Sequence, residues 1–170
     1  MSTPLLLAGV VRESIVDGPG IRFVVFAQGC PHHCQDCQNA QTWPFEGGNE
    51  VSPQKVLDEM HENPLLAGLT LSGGEPFCQS EAMADLAEAA KAVGYSVWAY
   101  TGYLFEELRK MSAEESAVRR LLQAVDVLVD GRFEREKMSY DLLFRGSSNQ
   151  RLLDVPASLQ AKIPIEKQMG

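Results

Sequence analysis

Three of the four cysteines in this chain fall in one short run, CPHHCQDC, as Cys30, Cys34 and Cys37. Thiolates crowded this closely repel one another unless a metal compensates their charge. Iron–sulfur clusters are held by cysteine thiolates, usually four. Structural zinc also takes four closed ligands drawn from Cys and His. The run supplies three, so one metal position is either left open or closed from elsewhere by Cys78, His32 or His33. His33 directly precedes Cys34, and adjacent side chains rarely reach one metal without strain. An open position is where a metal centre does chemistry on an added molecule. The bland alternative is a small zinc knuckle. A disulfide framework does not suit cysteines this close in a chain without secretory features.

A second segment, LTLSGGEP at 69–76, reads as a short apolar strand running into a turn. Its two glycines let the backbone approach a ligand closely. Taken together, the Cys-x3-Cys-x2-Cys spacing and this turn resemble the radical S-adenosylmethionine (SAM) superfamily. The resemblance implies a [4Fe–4S] cluster held by Cys30, Cys34 and Cys37, its fourth iron taking the amino and carboxylate groups of SAM. It places Gly73, Gly74 and Glu75 against the methionyl part of SAM, and Asp36, Cys37 and Gln38 along the adenine side. Asp130 would approach the SAM ribose or amino group. Asp36 departs from the family pattern, which often has an aromatic residue before the third cysteine, so backbone contacts would replace stacking there. The implied chemistry is one-electron reduction of the SAM sulfonium, cleavage at the 5′-carbon and hydrogen abstraction by the resulting 5′-deoxyadenosyl radical. The cofactors supply that chemistry and the protein positions them. It requires no general acid or base, so His32, His33 and His61 are not read as catalytic. With three cysteines committed, Cys78 alone remains, which excludes a second cluster and leaves Cys78 as a packed small residue.

Two further stretches narrow the resemblance. SIVDGPGIR at 14–22 is similar to the lead-in of activating enzymes of glycyl radical enzymes, and it also reads as a tight turn around Asp17 and Gly20. LFRGSSNQR at 143–151 and VLVDGRF at 127–133 resemble the activases whose partner is the anaerobic ribonucleoside-triphosphate reductase. On residues alone, 145–151 is a polar surface loop; the resemblance makes it face the cofactor or the partner. The implied function is abstraction of hydrogen from a glycine α-carbon of that reductase, with flavodoxin or ferredoxin as electron donor. The alternative is an activator of another glycyl radical enzyme such as pyruvate formate-lyase. Those activators tend to carry lysine where this chain has Arg132, which favours the reductase.

The elements that must hold these residues alternate. Apolar runs predict strands over 5–11, 21–27, 69–72, 95–100 and 125–129. Between them, Ser52 and Pro53 predict a helix start, with Val56, Leu57 and Met60 on its apolar face. Ser80 is a candidate cap for a helix ending at Gly94, and Ser112 with Glu115 a candidate capping box. Strands alternating with helices imply parallel βα units, and each special loop follows a strand's C-terminal end, where barrel enzymes place their sites. A full eight-unit barrel takes about 250 residues, more than the 170 here. The expected fold is therefore α/β: an incomplete, laterally open (βα) barrel of the radical SAM type with about five or six units, forming one domain over 1–170. An open side suits a large substrate such as a loop of another protein. A net charge of −8 with no basic stripe excludes phosphate-backbone binding. No apolar run approaches the ~20 residues that span a bilayer. Reduced, metal-bound cysteines and an N-terminus without a basic leader imply a cytoplasmic protein.

Overall fold

The computed structural model describes residues 3–32 and 43–168, so Cys34, Asp36, Cys37 and Gln38 lie outside the described residues. Seven strands are hydrogen-bonded into one sheet: β1 (Leu5–Ser14), β2 (Ile21–Ala27), β3 (Asn49–Val51), β4 (Leu66–Gly73), β5 (Ser96–Tyr100), β6 (Val127–Asp130) and β7 (Arg151–Asp154). Their order is β3-β1-β2-β4-β5-β6-β7. The central β2, β4, β5 and β6 run parallel. β1 and β3 on one side and β7 on the other pair antiparallel. Five helices complete the described chain: α1 (Pro53–His61), α2 (Ser80–Ala92), α3 (Phe105–Glu114), α4 (Ser116–Ala124) and α5 (Val155–Ala161).

Side chains alternate across the sheet because successive residues of a strand point to opposite faces. Phe23, Val25, Leu69, Leu71, Val97, Ala99 and Leu128 pack on the helix side with Met60, Met83, Leu86, Leu108 and Leu121. Trp98, Val127, Val129 and Leu152 form a smaller cluster, joined by Tyr100 and Phe144. On this same face of β2 and β4, Arg22, Thr70 and Ser72 are polar and also buried. A strand with both faces covered carries apolar residues without a clean alternation, which explains the run FVVFA that follows Arg22 in β2.

The α/β reading and the alternation of parallel strands with helices hold. The count of five or six units does not describe these residues: four parallel strands are linked by helical crossovers, and the sheet is open, with antiparallel strands at both sides. β1 returns directly into β2 through the turn at 15–20, which leaves no room for a crossover helix. α1 begins as expected, with Ser52 Oγ accepting from the Lys55 N–H at 3.1 Å. α2 ends as expected: Gly94 has φ +100°, and the Tyr95 N–H reaches back to the Ala90 carbonyl at 3.0 Å. Two expected caps are corrected. A 3-10 turn at Pro76–Gln79 leads straight into α2, so Ser80 is its first residue and donates to the Phe77 carbonyl at 2.6 Å. Ser112 lies inside α3 and donates back to Arg109, while Glu107 accepts from the Leu104 N–H at the start of that helix. β7, α5 and β3 are not among the expected elements. The signal for α5 is present in the sequence, since Asp154 caps it from two residues before Pro156.

Beyond β7, Asp154 donates its N–H to Ile165 at 2.9 Å and Lys167 donates to Leu152 at 2.7 Å. Residues 165–167 thereby lie antiparallel along the outer side of β7, around the bridge between Leu153 and Glu166.

Candidate active site

The four parallel strands end on the same side, and their following loops enclose a cavity of about 180 Å³. Cys30 follows β2, Gly73 and Gly74 end β4, Thr101 and Gly102 follow β5, and Gly131 and Phe133 follow β6; all line it. His32, Asp17, Tyr100, Gly146 and Gln150 complete much of its wall.

Backbone contacts join the first two loops. The Gly74 N–H donates to the Ala27 carbonyl and the Glu75 N–H to the Gly29 carbonyl, both at 2.8 Å. This crossing demands both glycines. A Cβ on Gly73 would stand 2.3 Å from the Ala27 nitrogen, and one on Gly74 would stand 2.3 Å from the Gly29 oxygen. Gly73 also has φ +96°, a region that side chains rarely adopt. The glycine pair therefore answers first to the neighbouring strand end, and the same closeness leaves bare backbone facing the cavity.

Glu75 is fully buried, and its carboxylate is spent on protein donors. It accepts from Thr101 Oγ1 at 2.8 and 2.9 Å, from the Gly102 N–H at 2.8 Å and from the Phe77 N–H at 3.1 Å. His32 Nε2 lies 2.7 Å from its Oε1. A buried carboxylate persists when several donors satisfy it. Glu75 thus stands behind the turn, while Gly73 and Gly74 face the space. Asp130 is likewise buried and engaged: Arg151 Nε donates to Oδ1 at 2.9 Å, Arg151 also reaches Oδ2, and the Phe105 N–H donates to Oδ2 at 2.8 Å. It therefore neutralises the first turn of α3 and does not line the cavity described above. Arg151 extends to Glu106 at 2.7 Å and holds that carboxyl below its usual range.

The segment at 145–151 comes to the cavity mouth. Gln150 Oε1 accepts from the Gly146 N–H at 2.9 Å, and its Nε2 donates to the Gly131 carbonyl at 3.0 Å. Asn149 donates to the Arg132 carbonyl at 2.8 Å. Ser14 Oγ donates to Asp17 Oδ2 at 2.6 Å, so the turn at 15–20 is both a tight connection and a wall of the site. A second, wider cleft of about 420 Å³ adjoins the cavity, sharing Asp17, Tyr100 and Gly146 with it and lined further by Ile15, Val16, Tyr140 and Leu143. Of the cavity's wall residues, Thr101 lies in an expected strand-end loop and Gln150 in the segment expected to face the cofactor or partner, whereas sequence reasoning does not single out Tyr100. Its only signal is position, as the last residue of β5.

Of the three cysteines expected to hold an iron–sulfur cluster, only Cys30 is among the described residues, and its thiol chemistry and place at the cavity wall suit that role. Cys30 is buried at the cavity wall, its N–H fixed by the Trp43 carbonyl at 2.9 Å. His32 is not available as a further ligand, since both ring nitrogens are engaged by Glu75 and Arg132. Cys78, expected as a packed small residue, is instead exposed, and it lies outside the cavity lining. Its partial burial and the nearby Glu75 push its thiol up to about 11, away from the thiolate a metal needs.

Residues 16–153 match the model of a family described as a 4Fe-4S single cluster domain, which makes the chain an iron–sulfur protein of that class. Among curated relatives, the anaerobic ribonucleoside-triphosphate reductase-activating protein of Haemophilus influenzae is 33% identical over 144 residues, covering 80% of this chain and 89% of the relative. Its namesakes from Enterobacteria phage T4 and Escherichia coli K12 are 35% and 30% identical, covering 81% and 80% of this chain and 86% and 90% of theirs. The chain belongs to the family of anaerobic ribonucleoside-triphosphate reductase-activating proteins. Among solved structures, QueE from Escherichia coli aligns with a TM-score of 0.46 at 17% identity, covering 58% of this chain and 53% of that one.

Proposed function

We propose that this chain activates an anaerobic ribonucleoside-triphosphate reductase by generating a glycyl radical on it, with a [4Fe–4S] cluster and SAM as cofactors. The observation that carries this reading is the meeting of Cys30 with the Gly73–Gly74 turn in one cavity at the ends of parallel strands, in a member of that family. Cys30, Cys34 and Cys37 would hold the cluster. When bound, the cluster and SAM supply reductive cleavage of a sulfonium bond and a carbon radical able to take hydrogen from a glycine α-carbon.

The protein's part is placement. Gly73 and Gly74 offer backbone to the methionyl end of SAM, with Glu75 holding their turn from behind. Asp36, Cys37 and Gln38 belong to the adenine side. Asp130, expected at the ribose or amino group, is engaged by Arg151 and the Phe105 N–H, and would act on SAM by holding the adjoining Gly131 loop. The partner's glycine-bearing segment would enter by the wider cleft, whose rim exposes Ile15, Val16, Tyr140 and Leu143 to solvent. Contiguous exposed apolar side chains mark interaction sites. A laterally open radical SAM barrel closed on one side by that partner, one domain over 1–170, a flavodoxin or ferredoxin donor and a cytoplasmic setting complete the reading. Among the described residues, no helix is long and apolar enough to cross a membrane.

The test is direct. Anaerobically reconstituted protein, given SAM and dithionite, should produce a glycyl radical on the reductase, read by electron paramagnetic resonance (EPR). The same signal on pyruvate formate-lyase in its place would move the assignment to that partner. Cys30→Ala should remove the absorbance band near ~400 nm that an iron–sulfur chromophore gives.

A further inference from the structure

We propose that His32 is a positioning residue that holds the cluster-bearing loop in register with the SAM-binding turn, acting through Glu75 and itself held by Arg132. The inference rests on the reading that the Cys30 loop carries a cluster to which SAM binds.

His32 stands two residues beyond Cys30, yet its side chain is only 4% exposed. Four contacts fix its ring. Arg132 Nε donates to Nδ1 at 3.2 Å. A guanidinium has no acceptor, so Nδ1 accepts and the ring's proton resides on Nε2. Nε2 then donates to Glu75 Oε1 at 2.7 Å. The ring meets Tyr103 edge-on, with centroids 4.6 Å apart and planes at 82°. It also lies against Gly102, where a Cβ would stand 2.3 Å from His32 Cδ2. Residue 102 must therefore be glycine for the imidazole to fit.

These contacts link all four strand-end loops. Arg132 belongs to the loop after β6, His32 to the loop after β2 and Glu75 to the turn after β4. Thr101 and Gly102, both bonded to Glu75, open the loop after β5. Among the described residues, His32 is the member of this chain of contacts that belongs to the cysteine loop. Reactions that depend on two bound groups meeting lose rate steeply when either is misplaced by an ångström. The cluster comes from one loop and the bare glycine backbone from another; the His32–Glu75 contact adds a side-chain tie to the backbone bonds that join Gly74 and Glu75 to Ala27 and Gly29, and so fixes the loop beyond Cys30. His32 does this without touching iron or SAM, because both of its nitrogens are occupied by protein groups.

The experiment uses the full chain, reconstituted anaerobically, as wild type, His32→Phe, His32→Gln and Arg132→Gln. Iron content, SAM affinity by equilibrium binding, and the EPR spectrum of the reduced cluster with and without SAM are measured. Phe fills the ring's space without hydrogen bonds. His32→Phe should keep its iron, bind SAM about tenfold or more weakly, as loss of an outer-shell partner does, and lose the change that SAM makes in the EPR spectrum. His32→Gln, whose amide can still donate to Glu75, should recover both. Arg132→Gln should move SAM affinity in the same direction by less, and add little to His32→Phe. Wild-type SAM affinity and EPR response in His32→Phe overturns the proposal, as does a Gln variant no better than Phe. If His32→Phe loses iron, half-exposed Arg132 decides: unchanged SAM affinity in Arg132→Gln then overturns the proposal. A wild-type protein that neither assembles a cluster nor responds to SAM would instead sink the functional reading itself.

Discussion

Arg22 is fully buried, and the acceptors around its guanidinium are neutral. Nε donates to Thr70 Oγ1 at 2.8 Å, and Nη2 to the Leu69 and Ser96 carbonyls at 2.8 and 3.0 Å. Nη1 reaches Ser96 Oγ and the Pro19 carbonyl. The guanidinium also lies 5.7 Å from the Trp98 ring centroid, within reach of a cation–π contact. Burial lowers its pKa to about 10, so it stays charged at neutral pH. One side chain thus fastens β2, β4, β5 and the Pro19 turn. Arg22→Leu would strand buried acceptors, at about 1–3 kcal/mol for each group left unsatisfied. We expect a loss of about 3 kcal/mol and a thermal midpoint lower by roughly 6–12 °C, read by calorimetry. Arg22→Lys should recover little, because a single ammonium cannot reproduce the fork. Cys78 gives a second prediction at this scale. Its thiol, raised to about 11, should alkylate slowly at pH 8 in the cluster-loaded protein, with the rate climbing as pH approaches that value. Cys78→Ser should keep the full iron complement. Fast labelling at pH 8, or iron lost with the serine, would contradict this account.

At the scale of elements, the buried Asp130 couples β6, β7 and α3 through Arg151 and the Phe105 N–H. Removing one partner of a buried ion pair costs about 3–5 kcal/mol. Arg151 is partly exposed, so Arg151→Met should fall at the low end, about 3 kcal/mol. Amide exchange should quicken first at the start of α3, since the Phe105 N–H shares the same carboxylate. Uniform exchange rates along α3 would argue against this coupling. The two carboxylates also show what could be read before folding. Apolar runs placed the central strands within a few residues, and the glycine turn was legible because the chemistry it serves has a spacing. The engagement of Glu75 and Asp130 was not. Glu75 bonds Thr101, 26 positions away, and Asp130 bonds Arg151, 21 positions away, and no local pattern records such pairings. Likewise Ser112 and Glu115 have capping-box spacing, but the apolar contacts of Leu108 and Met111 carry α3 through Ser112 to Glu114, and Glu115 stands extended between α3 and α4.

On the whole molecule, the cavity and the wider cleft adjoin, with Asp17, Tyr100 and Gly146 lining both. The cofactors would occupy one part and the partner's segment the other, so the two functions should separate by mutation. Val16→Glu with Leu143→Glu places charge on the exposed rim and leaves the cavity wall intact. We expect the glycyl radical yield on the reductase to fall about tenfold, equivalent to about 1.4 kcal/mol of docking, while SAM cleavage under dithionite continues at its original rate. A parallel fall in both would show that the rim also supports the cofactor cavity.

The strip at 165–167 along β7 has a consequence for how copies of this protein behave together. A sheet edge offers unpaired N–H and carbonyl groups to any other chain. Here the side of the sheet that ends in β7 is occupied by the chain itself, through Ile165 and Lys167. The opposite side ends in a strand of only three residues, with Glu50 exposed at its centre. Both ends of the sheet are therefore poor templates for growth. Deleting everything after Lys162 would bare Leu152 and Asp154 and turn a self-limited sheet into one that can add strands from its neighbours, so the shortened protein should gain mass with concentration on a sizing column where the full chain does not.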